Sequence, residues 1–272
     1  MSQTITRIAA LLSVSEVSVH FGGIVALDGI SFEVLRGQIC GVIGPNGAGK
    51  TTLFNCLSRL YTPLAGSIKF DGENLLSKKQ HDIAAAGIGR TFQNVALFPS
   101  MTVRENVMVG FHCRTTTGYI ANALRLASVR REDKQVRSRT DHLLELLNLA
   151  DLADTAVKNL SFGTRKRVEM ARALVADPKL LLLDEPAAGL GQDDIDKFAN
   201  LLIQLRKKCA IAIVEHHVDF IGAISDQVYV LNFGKVISSG SFDTVKRDPA
   251  VLAAYLGTSQ QTGSEKLGGA HA

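Results

Sequence analysis

ICGVIGPNGAGKTTLFNCLSRL, residues 39–60, is the stretch on which the fold turns. Its first five residues are an unbroken apolar run, which reads as a strand buried on both faces and so as part of a parallel core sheet. The glycine-rich turn GPNGAGKT (44–51) follows, and TLFNCLSRL continues with helical character. Strand, glycine loop and helix in that order form the context in which G-x-x-x-x-G-K-T binds phosphate. Gly44, Gly47 and Gly49 let the backbone curl so that amides converge on phosphate oxygens, and the helix behind them points its positive end at the same place. The loop Gly44, Pro45, Asn46, Gly47, Ala48, Gly49, Lys50, Thr51 and Thr52 is therefore assigned to ATP. Lys50 is expected to reach the β- and γ-phosphates, and Thr51 offers a hydroxyl to Mg2+.

LLLLDEP (180–186) supplies what such a loop needs beside it, an apolar strand that ends in two carboxylates. Asp184, at the strand tip, is placed to hold Mg2+, and Glu185 to orient and polarise an attacking water. AIAIV (210–214) and VYVL (228–231) are further continuous apolar runs and join the predicted parallel core. LSVSEVSV (12–19), ISFEVL (30–35) and SIKFD (67–71) instead read as antiparallel strands near the N-terminus. From about 94 to 165 helical patterns such as VRENVMVGFH and HLLELLNLADLA appear without strand-like alternation, which predicts an inserted helical subdomain. DDIDKFANLLIQLRKK (193–208) predicts a helix with Ile195, Phe198, Leu201, Leu202 and Leu205 on one face, acids at its start and lysines at its end. The expected fold class is α/β: a P-loop NTPase core with a mainly parallel sheet, an N-terminal antiparallel β subdomain and an inserted helical subdomain.

The totals agree. At 272 residues and 29.2 kDa the chain suits one large α/β domain. A net charge of +4 and a pI near 8.9 are mildly basic and do not by themselves argue for DNA. Cys40, Cys56, Cys113 and Cys209 lack any C-x-x-C pairing, so neither a zinc site nor a disulfide framework is implied, and a reducing compartment is expected. No stretch approaches the roughly 18 apolar residues needed to span a bilayer. IAALLSV after Arg7 is too short and lacks a cleavage site, so no leader is expected. A mean hydropathy of +0.14 is slightly high and points to apolar surface meant for a partner. The tail TSQQTGSEKLGGAHA is small and polar and is expected to be disordered. One phosphate loop and no internal repeat exclude a tandem two-ATPase chain.

LSFGTRKRVEMARAL (160–174) sets a Ser-x-Gly turn before a helix that opens with Arg165, Lys166 and Arg167. Ser161 can cap that helix, and the three cations add positive charge beside its amides, so the stretch reads as a second anion-binding helix start. With this motif, the phosphate loop and LLLLDEP in place, the chain resembles the nucleotide-binding subunits of ABC transporters from about residue 12 to residue 257. The resemblance implies that the phosphate loop of one subunit and the LSFG signature of a second close over the same ATP, with Ser161, Phe162 and Gly163 on the partner's nucleotide. It also implies that Phe21 in VHFGG stacks on the adenine. Gln93 in GRTFQN becomes the glutamine that contacts Mg2+ or water and links ATP to the membrane partner. His216 in IVEHHVDF becomes the histidine that senses the γ-phosphate, with His217 beside it where the family usually has Asp. The implied catalytic set is Glu185, His216, Gln93 and Lys50, and the implied metal set Thr51, Gln93 and Asp184.

Within the family, GIGRTFQNVALFPSMTVRENVMVGFH, EPAAGL, DPAVLAAYLG and the aromatic Phe162 look like the ATPase subunits of branched-chain amino-acid importers, the LivG-like group. The implied function is ATP hydrolysis that powers uptake of branched-chain or related amino acids through transmembrane permease subunits. The implied partners are a second ATPase subunit, a paralogue, in a head-to-tail dimer, and indirectly an extracytoplasmic solute-binding protein. Urea, other amino acids and lipopolysaccharide export stay open as alternatives, as does a non-transport ABC ATPase. The basic run Arg125, Arg130, Arg131, Lys134, Arg137 and Arg139 is the feature behind that last alternative. It reads better as a solvated helix face or a loop near lipid headgroups, and no nucleic acid is expected. Thr164 replaces the glutamine usual in the signature, and Gly191 and Gln192 stand where the importer group commonly has Asn-Pro. The expected location is peripheral, on the cytoplasmic face of the inner membrane. The expected boundaries are an extension over 1–11, the ATPase domain over 12–257 and the tail over 258–272.

Overall fold

In the computed structural model, which describes residues 9–92, 96–115 and 127–255, the first strand explains its own irregular pattern. Strand β1 (Leu12–Phe21) pairs antiparallel with β2 (Ile24–Val34), and its register slips between Val14 and Val17. The adjacent polar residues Ser15 and Glu16 are absorbed there in a bulge, with Glu16 at φ +50. Leu12, Val14, Val17 and Val19 are consequently all buried although strict alternation fails. Strand β3 (Ile39–Ile43) leads into helix α1 (Lys50–Leu57), and β4 (Ala65–Phe70) and β5 (Glu73–Asn74) complete an antiparallel sheet of order β2-β1-β4-β5.

The described residues divide into two compact units, one drawn from 1–78 and 210–272, the other from 79–209. In the second unit, helix α2 (Ile83–Ala86) precedes the three-residue strand β6 (Ile88–Arg90). Helix α3 (Val103–Val109) starts at a capping box: Thr102 Oγ1 accepts the Glu105 N–H at 3.2 Å, and the Thr102 N–H donates to Glu105 Oε2 at 2.8 Å. Helix α4 (Ala127–Leu146) buries Val129, Val136, Thr140, Leu143 and Leu144 on one side. Its other side exposes Arg130, Arg131, Lys134 and Arg137, in line with the reading as a solvated face, while Arg125 lies outside the described residues. From 96 to 160 the described residues hold helices and turns, with an isolated bridge between Thr102 and Ala156 and no strand. Helix α5 (Phe162–Leu174) then leads to strand β7 (Leu180–Asp184), wholly buried and parallel to β6. Helix α6 (Gln192–Leu205) buries Ile195, Phe198, Leu202 and Leu205, leaves Leu201 half-buried, and stops before Lys207 and Lys208.

The chain returns to the first unit with strand β8 (Ala210–Val214), helix α7 (Val218–Ile224), the hairpin β9 (Gln227–Asn232) and β10 (Lys235–Gly240), and the short helix α8 (Phe242–Lys246). Strand β3 lies parallel to both β8 and β9, and β10 is antiparallel to β9. The hairpin turns on Phe233 and Gly234, at φ +44 and +76, the left-handed pair that suits a two-residue connection. VYVL, read as buried on both faces, is corrected here. Val228 and Val230 are buried, but Tyr229 is only half-buried, because its hydroxyl reaches the backbone of Glu33.

Candidate functional site

Two glycines of the phosphate loop show why it curls. Gly44 sits at φ +151 where a Cβ would strike the Leu231 carbonyl oxygen, and Gly49 at φ +102 where a Cβ would lie 2.5 Å from the Ala26 carbonyl oxygen. Gly49→Ala is therefore expected to cost roughly 2–5 kcal/mol of stability, from strain plus overpacking. Urea unfolding measures this, and a loss below about 1 kcal/mol would mean that the loop relaxes around the methyl.

Lys50 opens α1 and is buried, so its ammonium needs partners. Nζ donates to the Gly44 carbonyl at 2.7 Å and to the Pro45 carbonyl at 2.8 Å, which holds the amine inside the curl. Thr51 is exposed and Thr52 half-buried on the same first turn, while Asn46 and Gly47 are exposed on the loop. Ala48 is buried, and its carbonyl accepts the Gly234 N–H of the β9–β10 turn at 3.1 Å. Tyr255 makes a hydrogen bond with the Gly44 backbone, against a burial that pushes its phenol up.

Two further predicted residues belong to this unit. Phe21 ends β1 with 44% of its surface exposed, and Tyr61 meets its ring edge-on at 5.1 Å and 70°. That leaves an aromatic surface able to stack on a base. His216 lies just beyond β8, and its N–H and that of His217 donate to Oε2 of Glu215 at 2.9 and 3.4 Å. Glu215 is buried and anchors the histidine-bearing turn, a contact with the two following amides for which the sequence carries no signal of its own.

In the second unit, β7 delivers Asp184 at 4% exposure, where Arg90 Nη2 from β6 lies 3.2 Å from its Oδ2. Burial pulls the Arg90 guanidinium down and Asp184 pulls it back up. The same guanidinium lies 4.8 Å from the centre of the Phe92 ring. Glu185 follows at φ +48, half-buried. The Phe92 N–H donates to the carboxylate of buried Glu169 on α5 at 3.1 Å. Gln93 lies outside the described residues.

Ser161 caps α5 as expected, its Oγ accepting the Thr164 N–H at 3.3 Å. The Thr164 hydroxyl lies 2.9 Å from Ser161 Oγ and accepts from Arg167 Nη2 at 3.3 Å, so the threonine ties the signature turn together. The expectation of three cations gathered at this cap is corrected for two of them. Lys166 Nζ donates to the Glu185 carbonyl at 2.7 Å and to the Pro186 carbonyl at 3.2 Å. Arg167 Nη1 donates to the Leu147 and Asn148 carbonyls at 3.2 and 3.3 Å. Both side chains spend donors on backbone oxygens, while Arg167 Nη2 still bonds Thr164 and Lys166 Nζ still lies 5.2 Å from the Phe162 ring centre. Ser161 and Phe162 remain exposed, on a cleft of about 480 Å³ that Gly163, Thr164 and Leu190 also line.

No group of three or more His, Cys, Asp or Glu suited to a metal occurs among the described residues. Taken singly, the Asp184 carboxylate of the second unit and the Thr51 hydroxyl of the first are hard oxygens of the kind Mg2+ takes.

Comparison with known proteins adds the last observations. A family described as ABC transporter matches residues 27–188, and one described as branched-chain amino acid ATP-binding cassette transporter matches residues 235–260. The sequence is 38% identical over 249 residues to the high-affinity branched-chain amino acid transport ATP-binding protein BraF of Pseudomonas aeruginosa, covering 91% of this chain and 98% of that protein. It is also 38% identical, with the same coverage, to LivG of Escherichia coli, which carries the same description. A crystal structure of an ATP-binding cassette of an ABC transporter in its ADP conformation is similar with a TM-score of 0.80 and 31% identity, over 92% of this chain and 99% of that one.

Proposed function

The chain belongs to the ABC transporter family of ATP-binding subunits, and from that premise we propose that it hydrolyses ATP to drive uptake of branched-chain or related amino acids. It is an ATPase that works with membrane permeases and as part of a dimer of such subunits. The observation that carries the reading is one chain with both a lysine held in a glycine loop and a buried strand ending in Asp184, with Glu185 next in sequence. Identity of 38% to two branched-chain amino acid transport proteins supports the choice of solute class.

The residue roles follow the same reading. The backbone from Gly44 to Thr52 and the Lys50 ammonium hold the phosphates, and Phe21 stacks on the adenine. Glu185 orients the attacking water and draws its proton, and His216 donates toward the γ-phosphate. Thr51, Asp184 and, by resemblance alone, Gln93 are the residues that would hold Mg2+, which would supply charge neutralisation. Ser161, Phe162 and Gly163 meet the nucleotide of the second ATPase subunit, a paralogue set head-to-tail, and α5 adds its positive end.

No helix among the described residues is long and apolar enough to cross a membrane. The proposed location is the cytoplasmic face of the inner membrane, held there by the permeases, with an extracytoplasmic binding protein delivering the solute.

A tag on this chain is expected to bring integral membrane subunits down from solubilised membranes. The reconstituted assembly should then couple ATP hydrolysis to uptake of leucine, isoleucine or valine into vesicles. An assembly that hydrolyses ATP but moves none of a panel of amino acids would end the importer reading.

A further inference from the structure

Lys166 stands where the signature helix meets the proposed hydrolytic carboxylate, and its partners are unusual for a lysine. The residue is 8% exposed, and its Nζ donates to two consecutive backbone carbonyls, Glu185 at 2.7 Å and Pro186 at 3.2 Å. Glu185 is held at φ +48, a left-handed conformation that a side-chain-bearing residue adopts only at an energetic cost. Such a conformation persists only where its surroundings over-determine it, and two charge-assisted bonds, to the carbonyl of the Glu185–Pro186 peptide and to that of the next peptide, do that.

The other end of the same lysine meets the signature. Phe162 lies one turn earlier on α5, and Lys166 Nζ is 5.2 Å from its ring centre. That ring also covers Gly189, where an added Cβ would come within 3.0 Å of it. The cation also faces Glu169, whose carboxyl burial pushes up while the Phe92 backbone, Arg172 and Lys166 pull it down. One ammonium thus touches the exposed aromatic of the signature and the backbone of the carboxylate that follows β7.

We propose that Lys166 is a positioning residue that holds Glu185 in its left-handed conformation and passes displacement of Phe162 to it. The proposal rests on the reading of Glu185 as the residue that orients the attacking water. It adds a route inside one chain from the surface that meets the second subunit's nucleotide to this chain's own hydrolytic group.

The test uses the assembly copurified from solubilised membranes through a tag on this chain. Lys166→Met keeps the length and removes the donors; kcat is expected to fall about 100-fold, as a displaced catalytic group would make it, with KM for ATP within about twofold. Lys166→Arg, which still donates to carbonyls, is expected to restore kcat to within about fivefold of the parent. Hydrogen exchange should quicken at the amides of 187–190 in Lys166→Met and stay unchanged in β7, a pattern that general loosening of the fold would not give. Unchanged kcat and exchange in Lys166→Met overturn the proposal, as does a fall in kcat that Lys166→Arg fails to relieve. Should Lys166→Met not fold, Lys166→Gln, with its single shorter donor, carries the comparison, and parent-like turnover in it overturns the proposal. Glu185→Gln separates the two ideas. If it hydrolyses ATP normally, the reading of Glu185 fails. If it is inactive while Lys166→Met is not, only the role of Lys166 fails.

Discussion

Glu185→Gln is expected to leave ATP binding within about twofold of the parent and to lower hydrolysis by about 10²–10⁴-fold, the usual contribution of a positioned general base. The substitution is nearly isosteric and removes the charge without touching the backbone. The bonds from Lys166 run to the Glu185 and Pro186 carbonyls, so the local fold should survive. With hydrolysis blocked, the γ-phosphate stays, and if it bridges two ATPase subunits as proposed, an ATP-loaded dimer should accumulate on size exclusion. Single-turnover hydrolysis and the elution profile check both halves. Turnover at the parent rate would remove Glu185 from the reaction altogether.

Lys50→Met is expected to raise the Kd for ATP by about 10²-fold or more, the scale of two lost charge-assisted hydrogen bonds to phosphate oxygens. Methionine retains most of the buried stem, so the comparison isolates the ammonium. The parent lysine is held by the Gly44 and Pro45 carbonyls, and phosphate oxygens compete with those acceptors for the same Nζ. Removing the amine therefore also strips two buried carbonyls of a donor, and some loss of thermal stability should accompany the loss of binding. Calorimetric titration with ATP measures the first effect and thermal unfolding the second. A Kd within about threefold of the parent would place the phosphates away from Lys50.

The phosphate loop was legible because its chemistry is local: glycine spacing, one lysine and an apolar strand before it are all readable within a dozen residues. The same holds for β7 and its two carboxylates, and for Ser161, whose partner is only three residues away. What the sequence did not disclose depends on partners far along the chain. Arg90 finds Asp184 across 94 residues, and Lys166 finds the Glu185 carbonyl across 19. Neither pairing leaves a periodicity: nothing in the sequence singles out Arg90, and Lys166 reads as positive charge beside the amides that open α5. Strand β6 is too short, at three residues, to show alternation, and β10 mixes serines with its apolar residues because only part of it is covered. Tyr229 misled in the other direction: an aromatic inside an apolar run reads as core until its hydroxyl is seen to need the Glu33 backbone.

The turn between β9 and β10 bears on how this chain can be engineered. With Phe233 80% exposed at the tip of a two-residue hairpin, the place looks well suited to a spliced-in epitope or a fluorescent domain, since exposed loop tips usually tolerate insertion. Gly234 says otherwise. Its N–H is committed to the Ala48 carbonyl at 3.1 Å, and its own carbonyl accepts the Asp28 N–H at 2.8 Å. An insertion at this tip would tug directly on the loop assigned to ATP, and a graft on the surface would be read out as lost nucleotide affinity.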